Sequence, residues 1–122
     1  MQELLDVAKA LIELRYKKGS HSVACALRTK SGTVYTGISI NGQKLNICAE
    51  WTALGKFFEA GEQEIEMIVA VHRTVDGQFE IFPPCALCRE LCVTYFPDVK
   101  VIIGENEVVV ASDLLPHAWV KK

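Results

Sequence analysis

Two short segments of the sequence carry residue types that can bind a metal ion and move protons. The first is Cys48-Ala49-Glu50, and the second is Pro84-Cys85-Ala86-Leu87-Cys88-Arg89. Cys85 and Cys88 are three residues apart, so one turn of a helix would direct both sulfur atoms towards a single point. Cys48 lies far upstream of this pair and can join it only through the fold.

The chemistry of a thiolate cluster indicates zinc. Each segment lies at the start of a predicted helix, where unpaired backbone N–H groups and the helix dipole favour thiolate over thiol. Three protein ligands on tetrahedral zinc leave one position open for water, which is typical of catalytic rather than structural sites. We therefore expect a catalytic zinc ion bound by Cys48, Cys85 and Cys88.

Glu50 gives the predicted centre a means of moving protons. It follows Cys48 by two residues, so its carboxylate would lie beside the ligand sulfur and take a proton from zinc-bound water. Three thiolates make the centre negative, which opposes the activation of water. Arg89, next to Cys88, is the cation that we expect to hydrogen-bond a thiolate and offset this charge.

The cysteines are also compatible with a structural zinc site or a redox pair. A structural site needs a fourth ligand, and Cys92, one helical turn after Cys88, is the candidate nearest in sequence. A Cys-x-x-Cys redox pair would leave Cys48 and Glu50 without a role. We interpret Cys92 and Cys25 as buried core thiols, because free cysteine packs as a small hydrophobic residue.

Composition restricts the class of protein further. The chain has 122 residues, and we treat residues 1–122 as a single domain. Half of the residues are hydrophobic, which suits burial against other subunits in so small a chain. With a net charge of −2, the chain lacks the excess of basic residues that is typical of proteins that bind polymeric nucleic acid. No apolar run approaches the roughly 20 residues of a membrane span. The N-terminal residues include acidic side chains and lack the basic segment and apolar core typical of a signal peptide, so we expect a cytoplasmic protein.

Hydrophobic periodicity predicts the elements that position these residues. Helical spacing predicts one helix over residues 3–17, a second from Cys48 to a cap at Gly61, and a third from about Cys85 to Tyr95. β-rich runs predict strands over residues 21–29, 34–40, 65–71, 99–103 and 108–110, the first two forming a hairpin. Strands that alternate with helices predict an α/β sandwich around a mixed sheet.

The two cysteine segments together resemble the signature of zinc nucleoside deaminases, in which [His/Cys]-x-Glu is followed by Pro-Cys-x-x-Cys. The form with three cysteines, Cys-Ala-Glu and Pro-Cys-x-x-Cys-Arg, is similar to the small cytidine deaminases and, within them, to the blasticidin S deaminases. The resemblance covers most of the chain. Residues 21–24 and 32–37 match the first hairpin of that family, and residues 114–119 match its closing segment.

This resemblance implies a cytidine deaminase-like α/β/α sandwich with a five-stranded mixed sheet and one zinc ion per subunit. It also implies a homotetramer whose active sites are completed by neighbouring subunits. Zinc-activated water would attack C4 of a cytosine ring, Glu50 would protonate N3, and ammonia would leave. The backbone of Ala49 would meet the ring carbonyl, and the carbonyl of Pro83 the leaving amino group. Ser22 would reach the pocket from the loop before the first strand, and Trp119 would form one wall.

One departure from the family pattern concerns the sugar end of the substrate. Cytidine deaminases carry Gly-x-Asn-x-Glu after the second strand, where Asn and Glu bind the ribose hydroxyls. This chain reads Gly37-Ile38-Ser39-Ile40-Asn41, so Ser39 and Asn41 share a strand face and can hydrogen-bond, but the carboxylate is gone.

Three functions therefore remain open. A cytosine nucleoside and a modified nucleoside of the blasticidin S type are both candidate substrates for a hydrolytic deaminase. The third possibility is a non-catalytic member of the fold that binds a ligand and keeps zinc for structure. Glu50 argues against this third function, because structural zinc has no use for a proton-transfer residue.

Overall fold

In the computed structural model, which describes residues 1–119, one mixed β-sheet lies between helices on both of its faces. The elements in chain order are α1 (Gln2–Arg15), β1 (Val23–Thr29), β2 (Val34–Ile38), β3 (Ile40–Asn41), β4 (Asn46–Ile47), α2 (Ala49–Glu59), β5 (Ile65–Arg73), β6 (Phe79–Ile81), α3 (Ala86–Tyr95), β7 (Lys100–Gly104), β8 (Glu107–Val110) and a 3₁₀ turn (Ala111–Leu114). None of the helices in this part of the chain has the length and apolar character needed to cross a membrane.

Five strands form a continuous sheet in the order β2-β1-β5-β7-β8. The central strand β5 runs antiparallel to β1 and parallel to β7, and α3 lies in the connection between β5 and β7. This arrangement confirms the predicted α/β class and five-stranded mixed sheet. A sixth strand, β6, pairs with the last residues of β5. The sequence pattern does not predict β6, because three residues are too few to show a strand periodicity.

Two apolar cores cover the two faces of the sheet. On one face, α1 packs Leu4, Leu5, Ala8 and Ile12 against alternate residues of β1 and β5. On the other face, α2 and α3 pack around the fully buried ring of Phe57. Side chains of a strand alternate between faces, so in β1 Ala24 and Ala26 contact the first core, whereas Cys25 and Leu27 contact the second.

The ends of α2 follow from its sequence. Cys48 is the N-cap residue with extended backbone, and Glu50 lies in the first turn. At the other end Gly61 has a φ of 81° and donates its N–H to the Phe58 carbonyl, while Glu62 donates to the Phe57 carbonyl. This is a Schellman motif, which confirms the predicted cap at Gly61. The equivalent N-cap position of α3 is occupied by Cys85.

The second predicted strand is wrong at its end. The prediction runs to residue 40, but β2 ends at Ile38, and the chain then leaves the main sheet to form the separate β3–β4 hairpin.

Just before the end of β2, Gly37 lies against the first turn of α2. A Cβ atom on Gly37 would lie 2.6 Å from the Ala49 carbonyl oxygen and would also meet Thr52 Oγ1 and the Ala53 nitrogen. The backbone of β2 therefore approaches α2 as closely as glycine allows.

We expect Gly37→Ala to destabilise the fold by about 1–3 kcal/mol, the usual cost of overpacking a filled core. Urea unfolding of the purified protein measures this as a lower transition midpoint. Gly55→Ala is the matched control, since Gly55 lies within α2 with open space around its Cα. This control should raise the stability by about 0.5–1 kcal/mol. An unchanged midpoint for Gly37→Ala would contradict the close approach of β2 to α2.

Candidate active site

The three predicted ligand cysteines meet at the adjacent N-termini of α2 and α3. The sulfur of Cys85 lies 3.6 Å from that of Cys48 and 3.4 Å from that of Cys88, and all three lie within 4.8 Å of one another. Cys88 is 1% exposed, whereas Cys48 is half-buried and Cys85 exposed. The cluster therefore has a protein side and an open side.

The sulfur positions fit a zinc ion. With Zn–S bonds of about 2.3 Å, two ligands of a tetrahedral site lie about 3.8 Å apart, close to the two sulfur–sulfur distances of this cluster. All five cysteines, Cys92 included, are free thiols. Cys92 lies outside the ligand cluster, with its side chain in the core beneath α3. A structural site with Cys92 as fourth ligand is therefore not formed.

The pKa values of the thiols show where a cation would be needed for the cluster to ionise. Burial raises the pKa of Cys48, and burial together with the nearby charge of Glu50 raises the pKa of Cys88 far above the ordinary thiol value. Burial would raise the pKa of Cys85 as well, but hydrogen bonds from the backbone N–H groups of Cys88 and Leu87 help to lower it. Three thiolates in this space need a metal ion to balance their charge.

The carboxyl group of Glu50 lies next to the cluster, and the residue is 7% exposed. Burial raises its pKa above the ordinary value, although hydrogen bonds to its own backbone N–H and to Cys88 act in the other direction. A carboxyl group with a raised pKa exchanges protons more readily near neutral pH than an exposed one. The carboxyl group lies beside, rather than within, the sulfur cluster, and its role in proton transfer stays a prediction.

A cavity of about 210 Å³ opens in front of the cluster. Many of its lining residues are among those predicted from the sequence: Ser22, Ser39, Asn41, Cys48, Ala49, Glu50, Pro83 and Cys85. The cavity is smaller than the roughly 300–1,000 Å³ common for ligand pockets. It therefore suits a small organic molecule that reaches the sulfur cluster from its open side.

Ser39 lines the cavity, yet its oxygen is already used within the protein. Ser39 Oγ accepts hydrogen bonds from the backbone N–H groups of Val23 at 3.0 Å and Ser22 at 3.2 Å. The backbone N–H of Ser39 donates to the Val23 carbonyl, and its own carbonyl lies 2.8 Å from His21 Nδ1. The side chain predicted as a substrate contact thus holds the segment before β1 against the β3–β4 hairpin.

Arg89 does not bind a thiolate in the described part of the chain, contrary to the prediction. Its Nε donates to the Pro84 carbonyl at 2.7 Å, and its Nη1 donates to the Leu114 carbonyl at 3.3 Å. The guanidinium group therefore fixes the segment directly before Cys85 to the C-terminal turn.

Trp119 does not line the cavity of its own chain. It is 83% exposed and borders a separate cavity of about 400 Å³ formed by α3 and residues 115–119. The prediction that it forms a wall of the pocket is therefore wrong for the single chain.

Five further residues line the cavity without having been predicted from the sequence: Val23, Asn46, Ile47, Ala70 and Phe82. Phe82 stacks on His72 with a centroid distance of 4.5 Å. Phe82 directly precedes Pro83-Pro84 in the sequence, and this position next to a predicted site residue could have indicated that it lines the cavity. Asn46 lies in a polar segment that has the composition of an ordinary loop, and it enters the site only because β3 and β4 pair.

Comparisons with known proteins agree with this geometry. Residues 1–105 match the family model described as the cytidine and deoxycytidylate deaminase zinc-binding region. The chain is 33% identical over 128 residues to a blasticidin-S deaminase of Bacillus cereus, covering 98% of this chain and 91% of that protein. It is also 33% identical over 104 residues to a cytidine deaminase of Halalkalibacterium halodurans, covering 80% and 76% of the two chains.

Solved structures extend the similarity to the fold. A crystal structure of the cytidine deaminase from Bacillus anthracis superposes with a TM-score of 0.82 at 25% identity, covering 97% of this chain and 88% of that one. The cytidine deaminase from Burkholderia pseudomallei gives a TM-score of 0.79 at 30% identity, covering 97% and 98%. The match over almost the whole sequence, together with the cysteine cluster in the fold, establishes that this chain belongs to the zinc-dependent cytidine and deoxycytidylate deaminase family.

Proposed function

We propose that this protein hydrolyses the 4-amino group of a cytosine nucleoside or nucleoside analogue, consuming one water molecule and releasing one ammonia. The observation that carries the proposal is the buried carboxyl group of Glu50 beside three sulfur atoms at one cavity. We assign Cys48, Cys85 and Cys88 as the zinc ligands. Zinc bound there supplies a Lewis acid that polarises water for attack.

Glu50 is the residue to which we assign proton transfer. It accepts a proton from the attacking water and delivers it to the ring nitrogen N3 beside C4. A C–O bond forms at C4 and the C–N bond to the amino group breaks, so that the ring gains a carbonyl and ammonia leaves with the remaining proton. The two halves of the reaction need a group that takes up and returns protons, which suits a carboxyl group whose pKa burial has raised.

Main-chain groups around the cavity suit the polar edges of the ring. Ala49 is the first residue of α2, where a backbone N–H has no partner within the helix and is free to bind the ring carbonyl. Pro83 lines the same cavity and offers only a carbonyl oxygen, which accepts a hydrogen bond from the leaving amino group. Ser22 and Asn41 are the remaining polar side chains to which we assign substrate contacts.

A nucleoside analogue of the blasticidin S type is the second candidate substrate. The observation that favours it is the neutral side chain of Asn41 at the position where the cytidine deaminase pattern carries a ribose-binding carboxylate. The Bacillus cereus relative named blasticidin-S deaminase matches over nearly the full length of this chain. A panel of cytidine, deoxycytidine, cytosine, methylated cytidines and blasticidin S, followed by ultraviolet absorbance, distinguishes the two candidates.

The exposed aromatic side chains support a homotetramer with shared active sites. Phe58 and Tyr95 are 41% and 56% exposed and contact each other with a centroid distance of 5.0 Å, and Trp119 is more exposed still. Contiguous exposed apolar groups of this kind mark subunit interfaces. In such an assembly Trp119 would reach the site of a neighbouring chain. None of the five cysteines forms a disulfide, which suits a reducing compartment, and we propose the cytoplasm.

Glu50→Gln tests the proposed mechanism. The amide keeps the size of the side chain but cannot accept and return a proton, so we expect kcat to fall by at least about 10²-fold. Zinc content and the unfolding midpoint should stay close to those of the unchanged protein. Ammonia release under substrate saturation is the measurement. A variant that keeps its full rate would remove Glu50 from the mechanism.

Cys85→Ala tests the ligand assignment. Loss of one of three thiolates leaves two protein ligands, so the purified variant should retain far less than one zinc ion per chain. Metal analysis by plasma emission spectroscopy gives the occupancy. Cys92→Ala is the matched control, because Cys92 lies on the helix that follows Cys85 but outside the sulfur cluster, and it should keep its zinc. Full occupancy in Cys85→Ala would refute the assignment.

The charge of the cavity predicts a nucleoside rather than a nucleotide substrate. Within the described residues, no lysine, arginine or histidine lines the cavity to bind a phosphate. We expect kcat/KM for cytidine to exceed that for cytidine 5′-monophosphate by at least about tenfold, since one charge-assisted hydrogen bond contributes about 1.5–3 kcal/mol. Equal use of the two compounds in parallel assays would contradict this interpretation of the cavity.

A further inference from the structure

The β3–β4 hairpin places a second asparagine in the cavity. Asn41 on β3 pairs directly with Asn46 on β4, and both residues line the cavity. Directly opposed residues of antiparallel strands direct their side chains to the same face, with Cβ atoms about 4.5–5.5 Å apart. The two amide groups are therefore close neighbours on one side of the cavity.

The backbone hydrogen bonds identify the type of strand pair that Asn41 and Asn46 form. The N–H of Asn41 donates to the Ser20 carbonyl on its other side, and Gly42 donates to the Leu45 carbonyl at 2.8 Å. Asn41 and Asn46 thus form a non-hydrogen-bonded pair, the type in which the Cα atoms lie about 4.5 Å apart and the side chains approach most closely. The pair is also held in place, because Ser20 fixes Asn41 on one side and β4 fixes it on the other.

Both amides are available to a ligand. In the described part of the chain neither side chain makes a hydrogen bond, whereas the neighbouring Ser39 hydroxyl oxygen already accepts two. Each amide has two N–H donors and one acceptor oxygen. The pair can therefore bind a group that carries several donors and acceptors at short separation.

The position of Asn46 relative to Cys48 sets what it can contact. Asn46 and Ile47 form the extended strand β4, and Cys48 also has extended backbone. Two residues of extended chain span about 7 Å. With C4 of a cytosine ring placed at the sulfur cluster, this separation would bring the substituent on the far side of the ring to the asparagine pair.

The charges in the cavity separate its two ends. Within the described residues, the ionisable lining side chains are Glu50, Cys48 and Cys85, and all of them belong to the zinc end. The asparagine end carries no formal charge. It therefore suits an uncharged group that both donates and accepts hydrogen bonds, such as neighbouring hydroxyls on a sugar ring.

We propose that Asn46, paired with Asn41, is a specificity-determining residue that binds the hydroxyl-bearing sugar portion of the substrate. This inference rests on the proposed deaminase function and adds a contact that the sequence motifs do not contain. Ser39 then acts by holding the hairpin in position, and the two amides take over the recognition of the sugar.

Asn46→Ala tests the proposal with two substrates that share the ring. Cytidine carries the sugar, whereas 1-methylcytosine has only a methyl group in its place. Loss of a neutral hydrogen-bonding side chain should lower kcat/KM for cytidine by about three- to tenfold through KM. The value for 1-methylcytosine and the kcat for cytidine should change by less than about twofold. Gln43→Ala is the matched control, an exposed amide on the same hairpin that does not line the cavity, and it should leave both substrates unaffected.

Equal losses on both substrates, or no loss on either, would overturn the role of Asn46 while leaving the deaminase function intact. Absence of ammonia release from every substrate in the unchanged protein would instead count against the proposed function. In that case, calorimetric titration of cytidine into zinc-loaded Glu50→Gln protein, with and without Asn46→Ala, decides the matter. Weaker binding in the double variant supports the sugar contact, and equal binding or no binding refutes it.

Discussion

The negative charge that three thiolates and a carboxylate would place at the N-termini of α2 and α3 is the constraint on which the rest of the structure depends. Three thiols and the Glu50 carboxyl group share a small, largely buried space, and burial raises the pKa values of Cys48, Cys88 and Glu50. These groups can ionise together only when backbone N–H groups and a metal ion balance the charge. The fold must therefore bring two helix N-termini to one point and leave a ligand position open.

The sheet provides this convergence through its strand order. β1 and β5 lie side by side near the centre of the sheet. The helices α2 and α3 pack on the same face of this sheet, and their N-termini are neighbours. Gly37 allows β2 to lie directly against the first turn of α2, and this contact sets the distance between the sheet and the helix N-terminus that carries Cys48. Arg89 fixes the segment before Cys85 from the other side through the Pro84 carbonyl. Residues without a chemical role thus determine the geometry of the metal site.

The two ends of the cavity differ in how they are built. The zinc end consists of helix termini that the family signature describes, and its chemistry follows from thiolate and carboxylate groups. The other end is a short hairpin attached by hydrogen bonds to the segment before β1, with Ser39 as the central link. The hairpin contributes none of the three clustered cysteines, so the two ends of the cavity are built from separate segments of the chain.

The sequence by itself determined the α/β class, the helices that carry the ligands and the Cys85–Cys88 pair, because helical spacing is a local property. The family signature indicated that Cys48 and Glu50 join this pair, which the fold then brings about. Tertiary structure alone decided the partners of polar side chains. Ser39 and Arg89 bind main-chain groups, Trp119 faces away from its own cavity, and Asn46 joins the site through strand pairing. These outcomes depend on which segments of the folded chain lie side by side, and residue type and spacing do not specify that.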